Sequence, residues 1–464
     1  MFGRPVVRIS REASVSVVLK SATLHSSNLL RKDPGKCHPA GLVPRRTRRE
    51  LDETLQVLRV VVLNGPRQAG KTTLARQLVA ASGGSFVTLD DPATLQACLA
   101  DPRTFLTAYR KPLVVDEFQL AGDLLLRSVK NIVDTTLDRG QYLLTGSTRF
   151  LTVPSLSESL AGRAGIVDLW PYTQGEAERY GDTGDGFLMR LLDPDVPVRQ
   201  LAGEPPDRSS YLARICTGGF PEAQELAGPS QRRRWFDAYI KTVTSRDVPG
   251  ISRIQHVAEL PRLLGALAAM TGQQLVVTRL AEKVAMARQT IDSTYLPLLE
   301  TVYLAVRLPA WSRNLLSRIT RHPKSYVADS GVAAHLLRVD EEALADPMCA
   351  ATGPLVETFV VNELIRQESF GAERIQLSHY RTHDGVEVDV IAEASNGRVG
   401  GVEIKSAATV TSADFRHLAR VRDLLDMSGG RFVRGVVLYT GHQVLPFGDR
   451  LVAMPLAALW MPPA

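Results

Sequence analysis

Apolar residues in the first third of the chain fall in short continuous runs separated by helix-length segments. LRVVVLNG (58–65), PLVVDE (112–117) and QYLLTGS (141–147) are typical of strands buried on both faces of a parallel sheet. Segments with helical spacing, such as TTLARQLVAA (72–81), lie between them. The alternation of strands and helices predicts a doubly wound α/β domain, which we place at residues 46–180.

The pattern changes beyond this domain. Residues 181–208 are rich in Pro, Gly and Asp and predict a linker or surface loop. Residues 209–345 carry apolar side chains at helical spacing and predict a helical domain, which contains a winged-helix-like segment at 276–311. In residues 346–464 a helix, three short strands, a second helix and a strand follow one another, which predicts a third domain.

The winged-helix-like segment has two alternative uses. In a DNA-binding protein its second helix would present Arg288, Gln289, Thr290 and Ser293 to a major groove. Lys283 and Arg288 give the segment little basic charge, however, and winged helices of ATPases also pack on the nucleotide-binding domain. We therefore favour packing or protein contact over the reading of bases.

The basic charge of the chain is confined to its beginning. The formal net charge is +6, but residues 1–50 hold 11 Lys and Arg against 3 Asp and Glu, which leaves 44 basic and 46 acidic residues elsewhere. The charge therefore does not indicate a nucleic-acid-binding face on a folded domain. Residues 1–45 lack periodicity and predict a disordered basic extension or an over-long start, with a faint similarity to an organelle transit peptide.

Cysteine spacing and hydropathy bear on the compartment. Cys37, Cys98, Cys216 and Cys349 lie far apart and form no CxxC pair, so neither a zinc ribbon nor a disulfide framework is predicted. No apolar run approaches the roughly 20 residues that span a bilayer. We expect a cytoplasmic protein with no membrane association.

A glycine-rich loop joins the first predicted strand to its helix. GPRQAGKT (65–72) fits the pattern G-x-x-x-x-G-K-[ST] in the strand–loop–helix context of a phosphate-binding loop. Lys71 would contact the β- and γ-phosphate oxygens, and the hydroxyl of Thr72 would bind Mg²⁺. The residues that we expect to contact the nucleotide here are Gly65, Pro66, Arg67, Gln68, Ala69, Gly70, Lys71, Thr72 and Thr73.

An acidic pair ends the run PLVVDE. Asp116 would complete the Mg²⁺ shell, and Glu117 would polarise the attacking water as a general base. We expect both to lie beside the phosphate loop, on a strand that adjoins the one before it. Because Glu directly follows Asp and no NKxD-type guanine-reading segment occurs, the sequence favours ATP over GTP.

Hydroxyl groups and arginines complete the predicted ATP site. Thr145 or Ser147 would sense the γ-phosphate from the neighbouring strand. Arg163 would neutralise transition-state charge, either within its own chain or across the interface of a homo-oligomer, and Arg149 is a rival. An arginine that touches only solvent is the alternative for both.

A second set of chemical groups lies near the C-terminus. Within VEVDVIAE, Asp389 shares a strand face with Glu387, and within GVEIKSA, Glu403 shares a face with Lys405. A helix upstream supplies Glu357. This order of elements, with D…ExK on a three-stranded meander, predicts a restriction-endonuclease-like α/β domain of the PD-(D/E)xK type.

The residue types in this set suit metal-dependent cleavage. Asp389, Glu403 and Glu357 would hold one or two Mg²⁺ ions, and Lys405 would orient the attacking water or stabilise the pentavalent charge. An amphipathic hairpin with salt bridges, or a nuclease fold without activity, is the alternative. The substrate would be DNA or RNA, and the sequence does not discriminate between them.

Several motifs in order resemble a large prokaryotic family of AAA-type ATPases whose members carry a C-terminal domain of unknown function. They are GPRQAGKTTL, VVDEFQ, LLTGS, LAGR with PYTQGE, and SRDVPGI (245–251). The resemblance extends from about Arg46 to the end of the chain. It implies an ATP-hydrolysing core, a winged-helix-like middle and a nuclease-like end.

Two functions follow from these observations. In the first, an ATPase couples its nucleotide state to Mg²⁺-dependent cleavage of a nucleic acid by the C-terminal domain. In the second, the chain is a nucleotide-switched regulatory or DNA-binding protein whose nuclease-like domain only binds a partner.

Overall fold

Buried β-branched runs form the first sheet. The computed structural model of the chain describes residues 42–147, 160, 162–180, 186–248, 257–312 and 322–464. In chain order its first elements are α1 (Thr47–Val57), β1 (Val60–Asn64), α2 (Lys71–Ser82), β2 (Ser85–Thr88), α3 (Pro92–Ala100), α4 (Pro102–Thr107), β3 (Leu113–Asp116), α5 (Gly122–Val133), β4 (Tyr142–Thr145) and β5 (Ala164–Asp168).

All strand pairs in this sheet are parallel, and their order is β2-β3-β4-β1-β5. The predicted α/β class is therefore confirmed. β4 lies between β1 and β3, so the expectation that the phosphate loop and the acidic pair follow adjoining strands is wrong. The carboxyl ends of β1, β3 and β4 still share one edge, because all three strands run in the same direction.

Helices dominate the middle of the chain, as predicted. The elements are α6 (Gln174–Ala177), α7 (Phe187–Leu192), α8 (Arg208–Thr217), α9 (Pro221–Glu225), α10 (Pro229–Thr242), α11 (Leu260–Ala269), β6 (Gln273–Gln274), α12 (Val277–Val284), α13 (Arg288–Thr290), α14 (Leu296–Thr301), β7 (Ala305–Leu308), β8 (Lys324–Val327), α15 (Ser330–Leu337) and α16 (Glu341–Ala345). A π-helical turn at Ile291–Tyr295 joins α13 to α14. The strands form an antiparallel sheet in the order β6-β8-β7.

The predicted linker at 181–208 is only partly a loop. Helix α7 lies inside it, with Phe187, Leu188, Leu191 and Leu192 buried. A Cβ atom at Gly400 would lie 2.7 Å from Leu191 Cγ, so glycine lets this helix approach the C-terminal sheet closely. The Pro, Gly and Asp residues around the helix concealed its short apolar run.

The C-terminal part has the predicted order of elements. They are α17 (Thr352–Glu368), β9 (Ile375–Arg381), β10 (Glu387–Ala394), β11 (Arg398–Lys405), α18 (Arg416–Met427), β12 (Arg431–Tyr439), β13 (Leu445–Pro446) and β14 (Leu451–Pro455). They build one sheet in the order β13-β14-β12-β11-β10-β9. β9, β10 and β11 form the antiparallel meander, and β12 joins β11 in parallel.

One hydrophobic cluster connects the middle helices to the C-terminal sheet. It runs from Trp170 through Phe236, Leu263 and Val360 to Met461, and all of these side chains are buried. The predicted division at residues 345 and 346 therefore does not coincide with a break in the core.

Candidate functional sites

The phosphate loop connects β1 to α2 through backbone conformations that only glycine adopts easily. A Cβ atom at Gly65 would lie 2.2 Å from the carbonyl oxygen of Leu169, which no side chain tolerates. Gly70 precedes the first residue of α2 with φ of 97°, in the left-handed region. The two glycines thus let the loop close tightly against β5 and turn into the helix.

Lys71 lies inside this loop. Its side chain is buried, and Nζ donates to the carbonyl oxygens of Gly65 and Pro66, each at 2.8 Å. The rest of the loop lies around the ammonium group: Ala69 is buried, Arg67 is half-buried, and Gln68 and Thr73 are exposed. The ammonium is therefore held at the start of α2, where the helix dipole favours an anion.

The two predicted magnesium ligands of the ATP site are in contact. Thr72 Oγ1 donates to Asp116 Oδ2 at 3.0 Å, and Thr145 donates to the other carboxylate oxygen. Asp116 and Thr145 are buried at the carboxyl ends of β3 and β4. A hydroxyl and a carboxylate oxygen, the hard ligands that Mg²⁺ prefers, thus face each other beside the loop.

Glu117 follows Asp116 in a strained backbone conformation, with φ of 54°. Burial raises the pKa of its carboxyl group, and the charge of Lys71 opposes that rise. Gln119 donates a hydrogen bond to the same carboxylate. The group that the sequence assigns as a base is therefore oriented and partly desolvated. Ser147 is buried two residues beyond β4.

Arg45 is a residue that the sequence reasoning missed. It lies in the segment predicted to be disordered, yet its guanidinium donates to the carbonyl oxygens of Ala69 at 2.6 Å and Trp170 at 2.5 Å. It also pairs with Glu176 at 3.1 Å. The boundary predicted at residue 46 is therefore too late, whereas residues 1–41 lie outside the described residues.

Arg163 is far from the phosphate loop of its own chain. It precedes β5, and the register pairs Val60 with Ala164 at one end of the strands and Asn64 with Asp168 at the other. Arg163 therefore lies at the opposite edge of the sheet, about 16 Å away along the strand. There it forms an ion pair with Asp134.

A transition-state role for Arg163 within its own chain is therefore wrong, and a role across a subunit interface stays a prediction. The rival, Arg149, lies outside the described residues.

The C-terminal carboxylates surround a lysine that the sequence analysis did not single out. Lys324 Nζ lies 2.9 Å from Glu357 Oε1, 2.9 Å from Glu387 Oε1 and 3.1 Å from Asp389 Oδ1. The lysine side chain is 2% exposed. Burial by itself would lower the pKa of Lys324. The three carboxylates together raise the pKa by more than burial lowers it, so the pKa of Lys324 lies above its ordinary value.

Glu403 and Lys405 lie on the same face of β11, next to this group. Lys405 Nζ bonds Glu403 Oε1 at 2.8 Å, and Glu403 Oε2 is buried with no hydrogen-bond partner among the described residues. Burial, together with Asp389, raises the pKa of Glu403 to about 8. Asp389 is fixed by the backbone N–H of Ile404, which donates to Oδ2 at 3.0 Å.

We refer to Lys324, Glu357, Glu387, Asp389, Glu403 and Lys405 as the carboxylate cluster. Four carboxylates face two ammonium groups, and Glu387 also pairs with the Arg381 guanidinium at 2.9 Å, which leaves one negative charge when all groups are ionised. The donor set and the unpaired Glu403 oxygen fit a divalent cation. The geometry is different, because in the described parts of the chain no three Asp, Glu, His or Cys side chains are arranged to hold an ion. The oxygens converge on an ammonium instead.

The predicted DNA-facing residues lie on the segment that includes α13. Arg288, Gln289 and Ser293 are exposed, and Thr290 is half-buried. The carbonyl oxygen of Gln289 accepts a hydrogen bond from the Ser293 hydroxyl at 2.7 Å. The surface is accessible, but the winged-helix and DNA-binding assignments stay predictions.

Family comparisons divide the chain into three matched segments. Residues 58–178 match an AAA domain, residues 208–343 match a domain of unknown function (DUF8612), and residues 352–459 match a domain of unknown function (DUF4143). The resemblance to AAA-type ATPases with a C-terminal domain of unknown function is therefore confirmed.

Two mycobacterial proteins, each described as uncharacterized, are similar in sequence to most of this chain. Rv2008c of Mycobacterium tuberculosis and Mb2031c of Mycobacterium bovis are each 29% identical over 396 residues, which cover 85% of this chain and 80% of theirs. The Walker-type ATPase PABY2304 of Pyrococcus abyssi is 17% identical, with a TM-score of 0.38 over 64% of this chain and 96% of its own.

The RuvB Holliday junction branch migration motor of Thermotoga maritima is 20% identical, with a TM-score of 0.28 over 57% of this chain and 89% of its own. Both TM-scores are below 0.5, so neither structure informs the function. Within the described ranges, no helix combines the length and apolar character needed to cross a membrane.

Proposed function

Because the chain carries an AAA domain with a phosphate-binding loop at residues 58–178, we propose that it binds ATP with Mg²⁺ and hydrolyses it. The supporting observation is the convergence of Lys71, Thr72 and Asp116 at one edge of a parallel sheet, with Thr72 and Asp116 3.0 Å apart. Thr72 and Asp116 would hold Mg²⁺, and the ion would supply positive charge that compensates the phosphates.

Each remaining residue of this site has a separate role. Lys71 exchanges its two loop carbonyl partners for phosphate oxygens. Glu117 accepts the proton of the attacking water on its carboxylate, which Gln119 orients. Thr145 fixes the Asp116 carboxylate, and Ser147 would respond to the γ-phosphate.

ATP turnover of paired variants tests this proposal. Lys71→Ala loses nucleotide binding, measured with a fluorescent ATP analogue, because no cation then faces the phosphates. Glu117→Gln keeps binding but turns over ATP roughly a hundredfold more slowly, because an amide does not accept the proton. Lys130→Ala, on α5, is the matched control and retains turnover. Normal turnover in the glutamine variant would refute the assignment of the base.

For the C-terminal domain we propose Mg²⁺-dependent cleavage of phosphodiester bonds in DNA or RNA. Support comes from the grouping of Glu357, Asp389 and Glu403 with Lys405, whose ammonium would stabilise the charge that develops on the phosphate. A bound divalent cation would polarise the phosphate and lower the pKa of a water molecule.

Contacts between the segment that follows the first sheet and the helix that carries Glu357 support coupling of cleavage to the nucleotide state. The two carboxylate oxygens of Glu363 each accept a hydrogen bond from the backbone N–H of Gln174 at 3.1 Å. Glu363 lies on α17, about 9 Å along the helix from Glu357. In addition, the Tyr303 hydroxyl donates to Asp168, at the end of β5, at 2.7 Å.

Cleavage assays separate this proposal from the regulatory alternative. Wild-type protein with Mg²⁺ or Mn²⁺ nicks single-stranded or duplex DNA or RNA, whereas Lys405→Ala does not and retains ATP turnover. Arg416→Ala, an exposed change on α18, is the control for loss of a cation in the same domain. If wild type and Lys405→Ala are equally inert on every substrate, the nucleotide-switched regulatory or DNA-binding function replaces the nuclease.

A further inference from the structure

Lys324 lies in the carboxylate cluster but belongs to another part of the chain. It is the first residue of β8, in the small sheet within the segment 208–343, whereas the carboxylates belong to α17, β10 and β11. Its ammonium is within 3.1 Å of three carboxylate oxygens, and it is 2% exposed. The Tyr326 hydroxyl, on the same strand, donates to Glu357 Oε1 at 2.7 Å.

We infer that Lys324 is the resident counter-cation of the carboxylate cluster, and that it competes with a divalent cation for the same oxygens. The lysine thereby decides whether the C-terminal domain holds a metal ion. This inference rests on the cation role proposed for the cluster, but it does not require that the domain cleaves anything.

Geometry and charge make the two occupants mutually exclusive. Mg²⁺ requires oxygen ligands at about 2.0–2.1 Å, so Glu357 and Asp389 would have to turn from the ammonium to the ion. An ammonium left within about 4 Å of the ion would repel it, and in this buried position little solvent screens that repulsion. Without the ammonium, the four carboxylates would face only Lys405 and the Arg381 guanidinium, which pairs with Glu387 at 2.9 Å, and two negative charges would remain for a divalent cation to compensate when all groups are ionised.

The substitution Lys324→Met tests the competition, because it keeps an apolar side chain of similar length and removes the charge. Thermal unfolding is measured without nucleotide, with EDTA or with millimolar MgCl2 or MnCl2. In EDTA the variant melts at least about 5 °C below wild type, because buried carboxylates lose their partner. Mg²⁺ or Mn²⁺ recovers at least half of this loss, and the same ions move the wild-type midpoint by less than about 1 °C.

Two further variants make the result specific. Lys111→Met removes another half-buried lysine, which bonds the carbonyl oxygen of Leu106 and pairs with no carboxylate among the residues that the structure describes. The unfolding midpoint of this variant does not respond to divalent ions. The double variant Lys324→Met/Asp389→Asn also lacks one of the proposed metal ligands. Mg²⁺ therefore raises its unfolding midpoint by less than it raises the midpoint of Lys324→Met.

Lys324→Gln, a milder change, binds Mn²⁺ at least tenfold more tightly than wild type by electron paramagnetic resonance.

Three results would overturn the inference. One is a destabilised Lys324→Met that no divalent ion recovers. Another is that Mg²⁺ or Mn²⁺ raises the unfolding midpoint of the wild-type protein by as much as it raises the midpoint of Lys324→Met. The third is that Lys324→Met and Lys324→Gln both fail to fold even when Mn²⁺ is present throughout purification, since the ion should then have replaced the ammonium. None of these results depends on cleavage, so they can be distinguished from failure of the proposed nuclease.

Discussion

The ATP site and the carboxylate cluster are both built at the ends of buried strands, but they balance charge differently. At the ATP site one carboxylate, Asp116, accepts hydrogen bonds from two hydroxyl groups, and Lys71 is satisfied by carbonyl oxygens of its own loop. In the cluster, four carboxylates share two ammonium groups, and one oxygen of Glu403 has no partner among the described residues.

The difference concerns how each site becomes ready for an ion. At the ATP site neutral hydroxyl and carbonyl groups solvate the charges of Asp116 and Lys71, and the positive charge of Lys71 also lies near the carboxyl group of Glu117. Buried carboxylates without enough cations are costly, so the cluster needs a resident positive charge. The first site is therefore open to its ligand, whereas at the second a divalent cation has to displace Lys324 from the carboxylates.

The largest expected effects are on catalytic activity, and they distinguish Asp116 in the ATP site from Asp389 in the carboxylate cluster. Asp116→Asn lowers Mg²⁺-dependent ATP turnover by about a hundredfold or more, because an amide is a poorer metal ligand. Asp389→Asn leaves ATP turnover within about twofold and abolishes nucleic-acid cleavage. Steady-state phosphate release and a nicking assay measure the two activities. Loss of ATP turnover in Asp389→Asn would mean that the sites are not separate.

The next effect concerns the contact that joins the two regions. Arg366 on α17 bonds Asp329 at 2.8 Å and the carbonyl oxygen of Tyr172 at 2.7 Å, and both side chains of the ion pair are buried. Arg366→Met lowers the free energy of unfolding in urea by about 3–5 kcal/mol, because Asp329 loses its buried partner.

A matched surface variant provides the control for Arg366. Arg49→Met removes the exposed pair with Glu53 and changes the free energy of unfolding by less than about 0.5 kcal/mol. Equal effects of the two substitutions would contradict the role given to the buried pair.

A third, smaller effect involves a carboxyl group that has no cationic partner within the described part of the chain. Burial, with Asp168 and Glu53, raises the pKa of Glu50 from 4.5 to about 7. A raised pKa means that the folded chain binds the proton more tightly. The contribution of Glu50 to stability is therefore complete below pH 4.5 and is lost as the pH rises through about 7.

The substitution Glu50→Gln removes this dependence. We expect the free energy of unfolding of the variant to rise relative to wild type by about 1–2 kcal/mol between pH 5 and pH 8, after allowance for the partial exposure of the group. Parallel urea titrations at several pH values measure the difference. A constant difference across this range would show that Glu50 is ionised throughout.

The smallest expected effect is at Arg163. In dilute solution Arg163→Ala changes ATP turnover by less than about twofold, because the guanidinium pairs with Asp134 at the edge of the sheet away from the phosphate loop. Turnover is measured over a range of protein concentrations beside gel filtration. A tenfold loss that appears only when the chain self-associates would establish the role across a subunit interface.

Local patterns were sufficient for elements whose burial and spacing agree. The runs around Val61, Val114 and Leu143 predicted buried parallel strands, and the glycines at 65 and 70 predicted the loop. The order of helix and strands around Asp389 and Glu403 was also predicted. Helix α7 was not predicted, because it has only six residues and is flanked by Pro, Gly and Asp. A segment of this length is too short to show a helical repeat of apolar positions.

The sequence by itself determined which residue types form the phosphate loop and the acidic pair and which strands and helices form, because both follow from local spacing and burial. Only the tertiary structure decided that β4 separates β1 from β3, that Arg45 supports the phosphate loop, and that Arg163 faces away from it. It also placed Lys324 among carboxylates 33 to 65 residues distant in the chain. Such pairings depend on long-range packing and charge balance, which no local pattern encodes.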